Sequence, residues 1–138
     1  MMYDITMGLS QRQVYCDMLC ASAEKPYARI LCVSTWKKVA ATMLSPAMIF
    51  RLRKINKEYD IIHIHHPDPM ACLALFLSGY KGPVVLHWHS DILKQKMLLK
   101  LYSPLQNWLL RRAKVIVGTT PVYVQESPFL ENIQRKVI

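Results

Sequence analysis

The sequence predicts an α/β fold, a Rossmann-like parallel β-sheet flanked by helices. Three short runs, at residues 61–65, 84–88 and 115–117, are nearly continuous in apolar side chains and rich in β-branched ones. Runs of this kind are typical of strands covered on both faces of a parallel sheet. Helical patterns fill the intervals between them, and this alternation predicts right-handed βαβ units.

Turn residues bound the three strands. The first run follows Asp60, the second follows Pro83, and the third ends at Gly118. A weaker strand is predicted over residues 29–34, and residues 136–138 are predicted to begin another.

Three amphipathic or apolar segments predict helices. Ser45, followed directly by a proline, is predicted to cap the first helix. A second, very apolar helix is predicted over residues 69–77 and closed by Gly79. The longest is predicted over residues 92–112, where Pro104 should kink or restart it.

The first forty residues fit this plan less well. Residues 4–23 are predicted to form one poor helix, and no convincing strand precedes them. Because a doubly wound sheet normally opens with a buried strand, the first strand region is predicted to be degraded or missing. The 138 residues are predicted to form a single Rossmann-like domain over 1–138.

Composition narrows the class of protein. A hydrophobic content of 52% with 20% charged residues excludes a disordered chain. Only four glycines are present, which argues against a glycine-rich phosphate loop. The net charge of +9 favours an anionic neighbour such as a membrane surface, a nucleic acid or a phosphorylated ligand. The longest apolar run, residues 70–77, is far short of the ~20 residues that span a bilayer.

The four cysteines form no CxxC pair, and residues 1–8 carry no secretory signal pattern. We therefore expect reduced thiols in a cytoplasmic protein.

Three sequence blocks resemble a known family. Residues 60–67 read Asp-Ile-Ile-His-Ile-His-His-Pro, residues 83–91 read Pro-Val-Val-Leu-His-Trp-His-Ser-Asp, and residues 113–120 read Ala-Lys-Val-Ile-Val-Gly-Thr-Thr. In order and spacing they resemble the N-terminal, acceptor-side domain of retaining glycosyltransferases of family 4, which have the two-lobed GT-B fold. The resemblance is clearest over residues 34–138.

The resemblance implies transfer of a sugar from a nucleotide-sugar donor to a lipid- or glycan-linked acceptor, with no metal or other cofactor. The family's first loop carries Gly-Gly and a small-x-Glu pattern. Its nearest match is residues 8–11, where Leu9 and Gln11 differ in chemistry. The donor-binding lobe, with its E-x7-E segment, is absent up to Ile138. We therefore expect the chain alone to be inactive.

Candidate ligand-binding residues lie at the predicted carboxyl ends of the strands, where α/β sheets bind ligands. The resemblance makes His89 the catalytic candidate, beside the donor sugar, where an imidazole can hydrogen-bond a sugar hydroxyl. The candidates for substrate binding are His65, His66, Asp68, Ser90, Asp91 and Thr119. Ser90 and Asp91 have an alternative role as helix caps, and residues 66–69 as a turn that leads into a helix.

The histidines also allow a metal hypothesis. Side chains alternate along a strand, so His63 and His65 share one face, as do His87 and His89. Adjacent strands could bring the four imidazoles together, with Zn²⁺ as the occupant. Against this, His63 and His87 are predicted to lie mid-strand in a dry core, so no metal site is predicted.

Two groups of basic residues flank the helical patterns. By default they form solvated faces; the alternative is docking on anionic lipid at the inner face of the cell membrane. No nucleic-acid-binding module is visible, so no nucleic-acid partner is predicted. The groups are Lys37, Lys38, Arg51, Arg53, Lys54 and Lys57, and Lys94, Lys96, Lys100, Arg111, Arg112 and Lys114.

A second functional hypothesis is a non-catalytic remnant of such a transferase that binds itself, a membrane or a partner. A missing first strand would leave an apolar sheet edge, and formation of a homo-oligomer would cover it.

Overall fold

The computed structural model describes residues 2–21, 30–39, 42–90 and 96–138. Three β-sheets occur within these ranges: a parallel pair β1-β2, an antiparallel pair β3-β4 and a parallel sheet in the order β5-β6-β7. The elements in chain order are α1 (Met2–Gln11), β1 (Met18–Ala21), β2 (Ile30–Val33), β3 (Lys37–Val39), β4 (Thr42–Leu44), α2 (Pro46–Ile55), a 3-10 helix (Asn56–Glu58), β5 (Ile62–His66), α3 (Pro69–Ser78), β6 (Val84–Trp88), α4 (Lys96–Arg112), β7 (Val115–Gly118), α5 (Pro121–Glu126) and a 3-10 helix (Glu131–Lys136).

The three-stranded sheet confirms the predicted α/β fold with a parallel sheet and flanking helices. β6 has the predicted bounds, and β5 lies one residue further along the chain because Ile61 is exposed and outside the ladder. β7 extends to Gly118, where a Cβ atom would overlap the Val124 side chain of α5. A larger residue at this strand end would therefore require the Val124 side chain to shift.

The helix predictions are confirmed in position over the described residues, with two corrections; the predicted start of the longest helix, residues 92–95, lies outside the described residues. Gly79 ends α3 in the left-handed conformation with φ of 74°, as predicted. Ser45 precedes α2, but its side chain caps no amide of that helix; its Oγ donates to the Ser34 carbonyl at 2.6 Å instead. The helical assignment of α4 continues through Pro104 without a restart.

The predicted single helix over residues 4–23 is wrong. α1 ends at Gln11, a turn with positive φ at Gln13 follows, and β1 then pairs in parallel with β2. The weak strand prediction at residues 29–34 is confirmed as β2. At the other end, Val137 forms an isolated parallel bridge with Ile116, so only the start of the expected further strand is present.

The core lies on one face of the three-stranded sheet and between the helices that cover it. One cluster of buried side chains surrounds β6 and includes Leu86, Leu109 and Ile116, all fully buried. A second cluster joins β2 to α2 and α3 through Val33 and Leu52. The opposite face of β5 is less covered than predicted, since His63 is exposed and His65 half-buried.

No helix among the described residues has the length and apolar character that crossing a bilayer requires.

Candidate functional site

The ends of β5 and β6 lie side by side and determine the geometry of the candidate site. The parallel register places His65 opposite His87 and His66 opposite Trp88. One residue further, the His89 backbone N–H donates to the His66 carbonyl at 3.1 Å. His89 therefore stays attached to the sheet although it lies just beyond β6.

Four imidazoles gather on the open face of these strands, as their alternation predicted. They belong to His63, His65, His87 and His89, and neighbouring ring centroids are 4.2–5.6 Å apart. His65 Nδ1 and His89 Nε2 share a hydrogen bond of 2.7 Å. The prediction that His63 and His87 lie in a dry core is wrong, because His63 is exposed and His87 half-buried.

The four rings are held in their neutral form at neutral pH. Burial and the neighbouring imidazoles lower the pKa of His65 to about 4. Burial is also the first cause of the lowered pKa values of His63, His87 and His89, with repulsion from neighbouring rings added at His63 and His89. A neutral imidazole has one donor and one acceptor nitrogen, so each ring can bind a ligand through either role.

His66 points to the opposite, covered face. It is 1% exposed and stacks on Trp88 with ring centroids 3.8 Å apart. Burial lowers its pKa to about 4, an effect that Gln106 and the Ser90 backbone partly oppose. In the part of the chain that the structure describes, neither ring nitrogen has a partner in good hydrogen-bond geometry. The structure thus places the His66 side chain in the covered core at the end of β5. Its contact with an acceptor stays a prediction.

The remaining predicted site residues that the structure describes lie just after β5, β6 and β7. Thr119, after β7, donates through Oγ1 to the Trp88 carbonyl at 3.2 Å and reaches the His89 carbonyl at 3.5 Å. Asp68 caps α3, since its carboxylate accepts from the Met70 and Ala71 N–H groups at 3.0 Å each. Ser90 is half-buried and follows His89 directly; Asp91 lies outside the described residues.

A cavity of about 900 Å³ adjoins the histidine face and was not foreseen from the sequence. His63 and His65 line it from β5, and residues 18–21 of β1 line the other side. Tyr59 and Asp17 also line it and are joined by a hydrogen bond of 2.5 Å from the phenol to the carboxylate. No sequence pattern indicates this pair, because its members lie 42 residues apart with no motif around either.

Comparisons with known proteins identify the family of this chain. The family model of Glycosyltransferase Family 4 matches residues 1–126. This match begins at residue 1, whereas the motifs show the resemblance most clearly from residue 34. Over 99% of its length the chain is 32% identical to O-antigen chain mannosyltransferase C of Escherichia coli and covers 38% of that protein. Over 72% of its length it is 35% identical to D-rhamnosyltransferase WbpZ of Pseudomonas aeruginosa and covers 26% of it. The chain thus spans well under half the length of these curated relatives.

Proposed function

We propose, since the chain belongs to glycosyltransferase family 4, that it forms the acceptor-side lobe of a retaining sugar transferase. The sugar would pass from a nucleotide-sugar donor to a hydroxyl group of a lipid- or glycan-linked acceptor. The names of the two relatives favour nucleotide-activated mannose or D-rhamnose as the donor. The lobe supplies one wall of the reaction cleft, so we expect no turnover by these residues alone.

The hydrogen bond between His65 and His89 is the observation that best supports this role. It occupies His89 Nε2, while His89 Nδ1 is buried and has no hydrogen-bond partner among the described residues. In the proposal, that Nδ1 hydrogen-bonds the transferred sugar, while His65 and the His89 N–H bond to His66 fix the ring and its backbone. A preoriented neutral imidazole stabilises the transition state without the cost of reorganisation during transfer.

A chimaera tests the proposal. The matching segment of the Escherichia coli mannosyltransferase would be replaced by this chain, and sugar transfer would be measured with that relative's own substrates. We expect the chimaera to be active and His89→Ala to lower kcat by about 100-fold or more. Lys57→Ala, at an exposed site on the 3-10 helix after α2, is the matched control and should leave kcat unchanged.

Two outcomes would count against the proposal. An active chimaera in which His89→Ala matches the control would remove His89 from the reaction. Sugar transfer by the unfused chain with any nucleotide-sugar donor would show that this lobe does not need a second wall.

We further propose that the lobe docks on the anionic inner face of the cell membrane, in the cytoplasm. Exposed apolar side chains beside basic ones support this: on α4, Met97 and Leu101 are 85% and 81% exposed, one turn apart, with Lys100 exposed between them. Such a face inserts between headgroups while its cations contact anionic lipid. Trp36, 76% exposed before the Lys37–Val39 strand β3, offers a second contact of the same kind.

Vesicle sedimentation tests the docking proposal. We expect binding to phosphatidylglycerol-containing vesicles, weakened by salt, and a loss of about tenfold for the double variant Met97→Ser with Leu101→Ser. Val122→Ser, at a 62% exposed site on α5, is the matched control. Equal binding by neutral vesicles and by the double variant would contradict the proposal.

A second candidate function, self-association of a non-catalytic lobe, is favoured by two strand edges that face the cavity. Within the described ranges β1 pairs only with β2 and β5 only with β6, so one edge of each lies open. Open edges pair with strands of other chains. Light scattering at rising concentration should then show dimers, weakened by Ile61→Lys beside the edge of β5 but not by Val122→Lys; a strict monomer would exclude this candidate.

A further inference from the structure

Three imidazoles on the open face of β5 and β6 lie close enough to share an ion. One ring nitrogen from each of His63, His65 and His87 lies within 4.8 Å of the others. A tetrahedral Zn²⁺ ion with bonds of about 2.0–2.1 Å holds its nitrogens roughly 3.4 Å apart, so the rings need to approach by only about 1.5 Å. The register supports this convergence, because His65 and His87 are directly paired and His63 is two residues before His65.

The three rings are stacked, so their nitrogens do not point at one common position. Metal binding therefore requires the rings to rotate. Neighbouring ring planes among the three are inclined by 9–23°. Their in-plane lone pairs can meet at one point after rotation about χ2, a torsion with a broad minimum in histidine. The partial exposure of the rings leaves room for this rotation.

Two further observations suit an ion. His87 Nδ1 is buried and has no hydrogen-bond partner among the described residues, and a buried polar atom of this kind is destabilising unless something binds it. The cavity beside His63 and His65 supplies a route from solvent. The objection that mid-strand histidines lie in a dry core therefore does not hold for this face.

We propose that His63, His65 and His87 form a binding site for one divalent transition-metal ion of the Zn²⁺ class. A set of three imidazole ligands favours Zn²⁺, Ni²⁺ or Cu²⁺ over Mg²⁺ or Ca²⁺. Water or a ligand from the cavity completes the coordination. His65 already uses Nδ1 toward His89, so it binds the ion through Nε2 and keeps His89 as its outer hydrogen-bond partner.

The site does not depend on sugar transfer, and its test measures binding alone. The complete chain would be treated with chelator and titrated with ZnCl₂, with stoichiometry from equilibrium dialysis and elemental analysis. We expect one equivalent of Zn²⁺, and changes in the imidazole ¹⁵N shifts of His63, His65 and His87. His66, on the covered face of the same strand, serves as the internal control and should not shift.

Variants separate this site from other zinc ligands. His63→Ala, at an exposed position that tolerates substitution, should weaken Zn²⁺ binding by about tenfold or more. The variant Cys20→Ser with Cys32→Ser removes an alternative pair of zinc ligands, two thiols 3.7 Å apart, and should leave the affinity unchanged.

Three results would overturn the proposal. They are the absence of a stoichiometric ion at micromolar Zn²⁺, loss of binding in the cysteine variant, and ¹⁵N shifts that include His66 but spare His63. The ¹⁵N shifts of the unsubstituted chain decide the question even if a variant fails to fold.

Discussion

Acidification should destabilise this lobe through His66. Burial against Trp88 lowers the pKa of His66 to about 4, whereas the histidine of an unfolded chain has the ordinary value of 6.5. The unfolded state therefore binds the proton first as the pH falls, and stability present above pH 6.5 is lost as the pH falls toward 4. Of the titratable groups around it, His89 adds a repulsive contribution and Tyr102 stays neutral because burial raises its pKa.

These two pKa values give a magnitude. Between about pH 7.5 and pH 5, protonation of His66 in the unfolded chain should lower the free energy of unfolding by about 2 kcal/mol. His66→Phe keeps a ring on Trp88 and removes the titration. In urea unfolding with chelator present, the pH-dependent loss should be about 2 kcal/mol smaller in His66→Phe than in the unsubstituted chain.

Acidification could instead lower the free energy of unfolding equally in His66→Phe and in the unsubstituted chain, and that result would refute this reasoning. In that case the acid response would come from the open-face imidazoles, and His66 would be able to accept a proton in the folded state.

Three further changes test the packing that holds the strand ends. Gly118→Ala should lower the melting temperature by several degrees, because its Cβ overlaps Val124; an unchanged melting temperature would show that α5 can move. Lys136→Met should lower the free energy of unfolding by about 1–2 kcal/mol, since the ammonium donates to the carbonyls at the end of α4; an equal loss in Lys114→Met, an exposed neighbour, would contradict this. Asp68→Ala should cost about 1 kcal/mol through the lost cap, and urea unfolding would measure it, whereas Asp68→Asn should restore most of the loss.

The strands of the main sheet could be predicted because their signal is local. Continuous β-branched runs around Ile64, Leu86 and Ile116 specify buried strands wherever they occur in a chain. β1 was missed because its four residues, Met18–Ala21, have no β-branched side chain and follow a helical pattern directly. The pair β3-β4 was missed because each strand has only three residues and β3 is exposed throughout.

The sequence predicted which histidines form the candidate site, but not that their side chains are at least partly exposed. Strand periodicity alone places His63, His65, His87 and His89 on one face. Whether a helix covers that face depends on contacts between distant parts of the chain, and no pattern within β5 or β6 carries that information. The same limit applies to Asp17 and Tyr59, which meet across the cavity.

The stack of His66 on Trp88 gives the strand ends an optical reporter. Of the three tryptophans, Trp88 is fully buried, Trp36 is 76% exposed, and Trp108 packs edge-on against Phe76. Trp88 should therefore emit at the shortest wavelength and resist quenching by iodide. Since Trp88 directly precedes His89, occupation of the site by a sugar or an ion should alter this emission, so that ligand binding can be followed without a label.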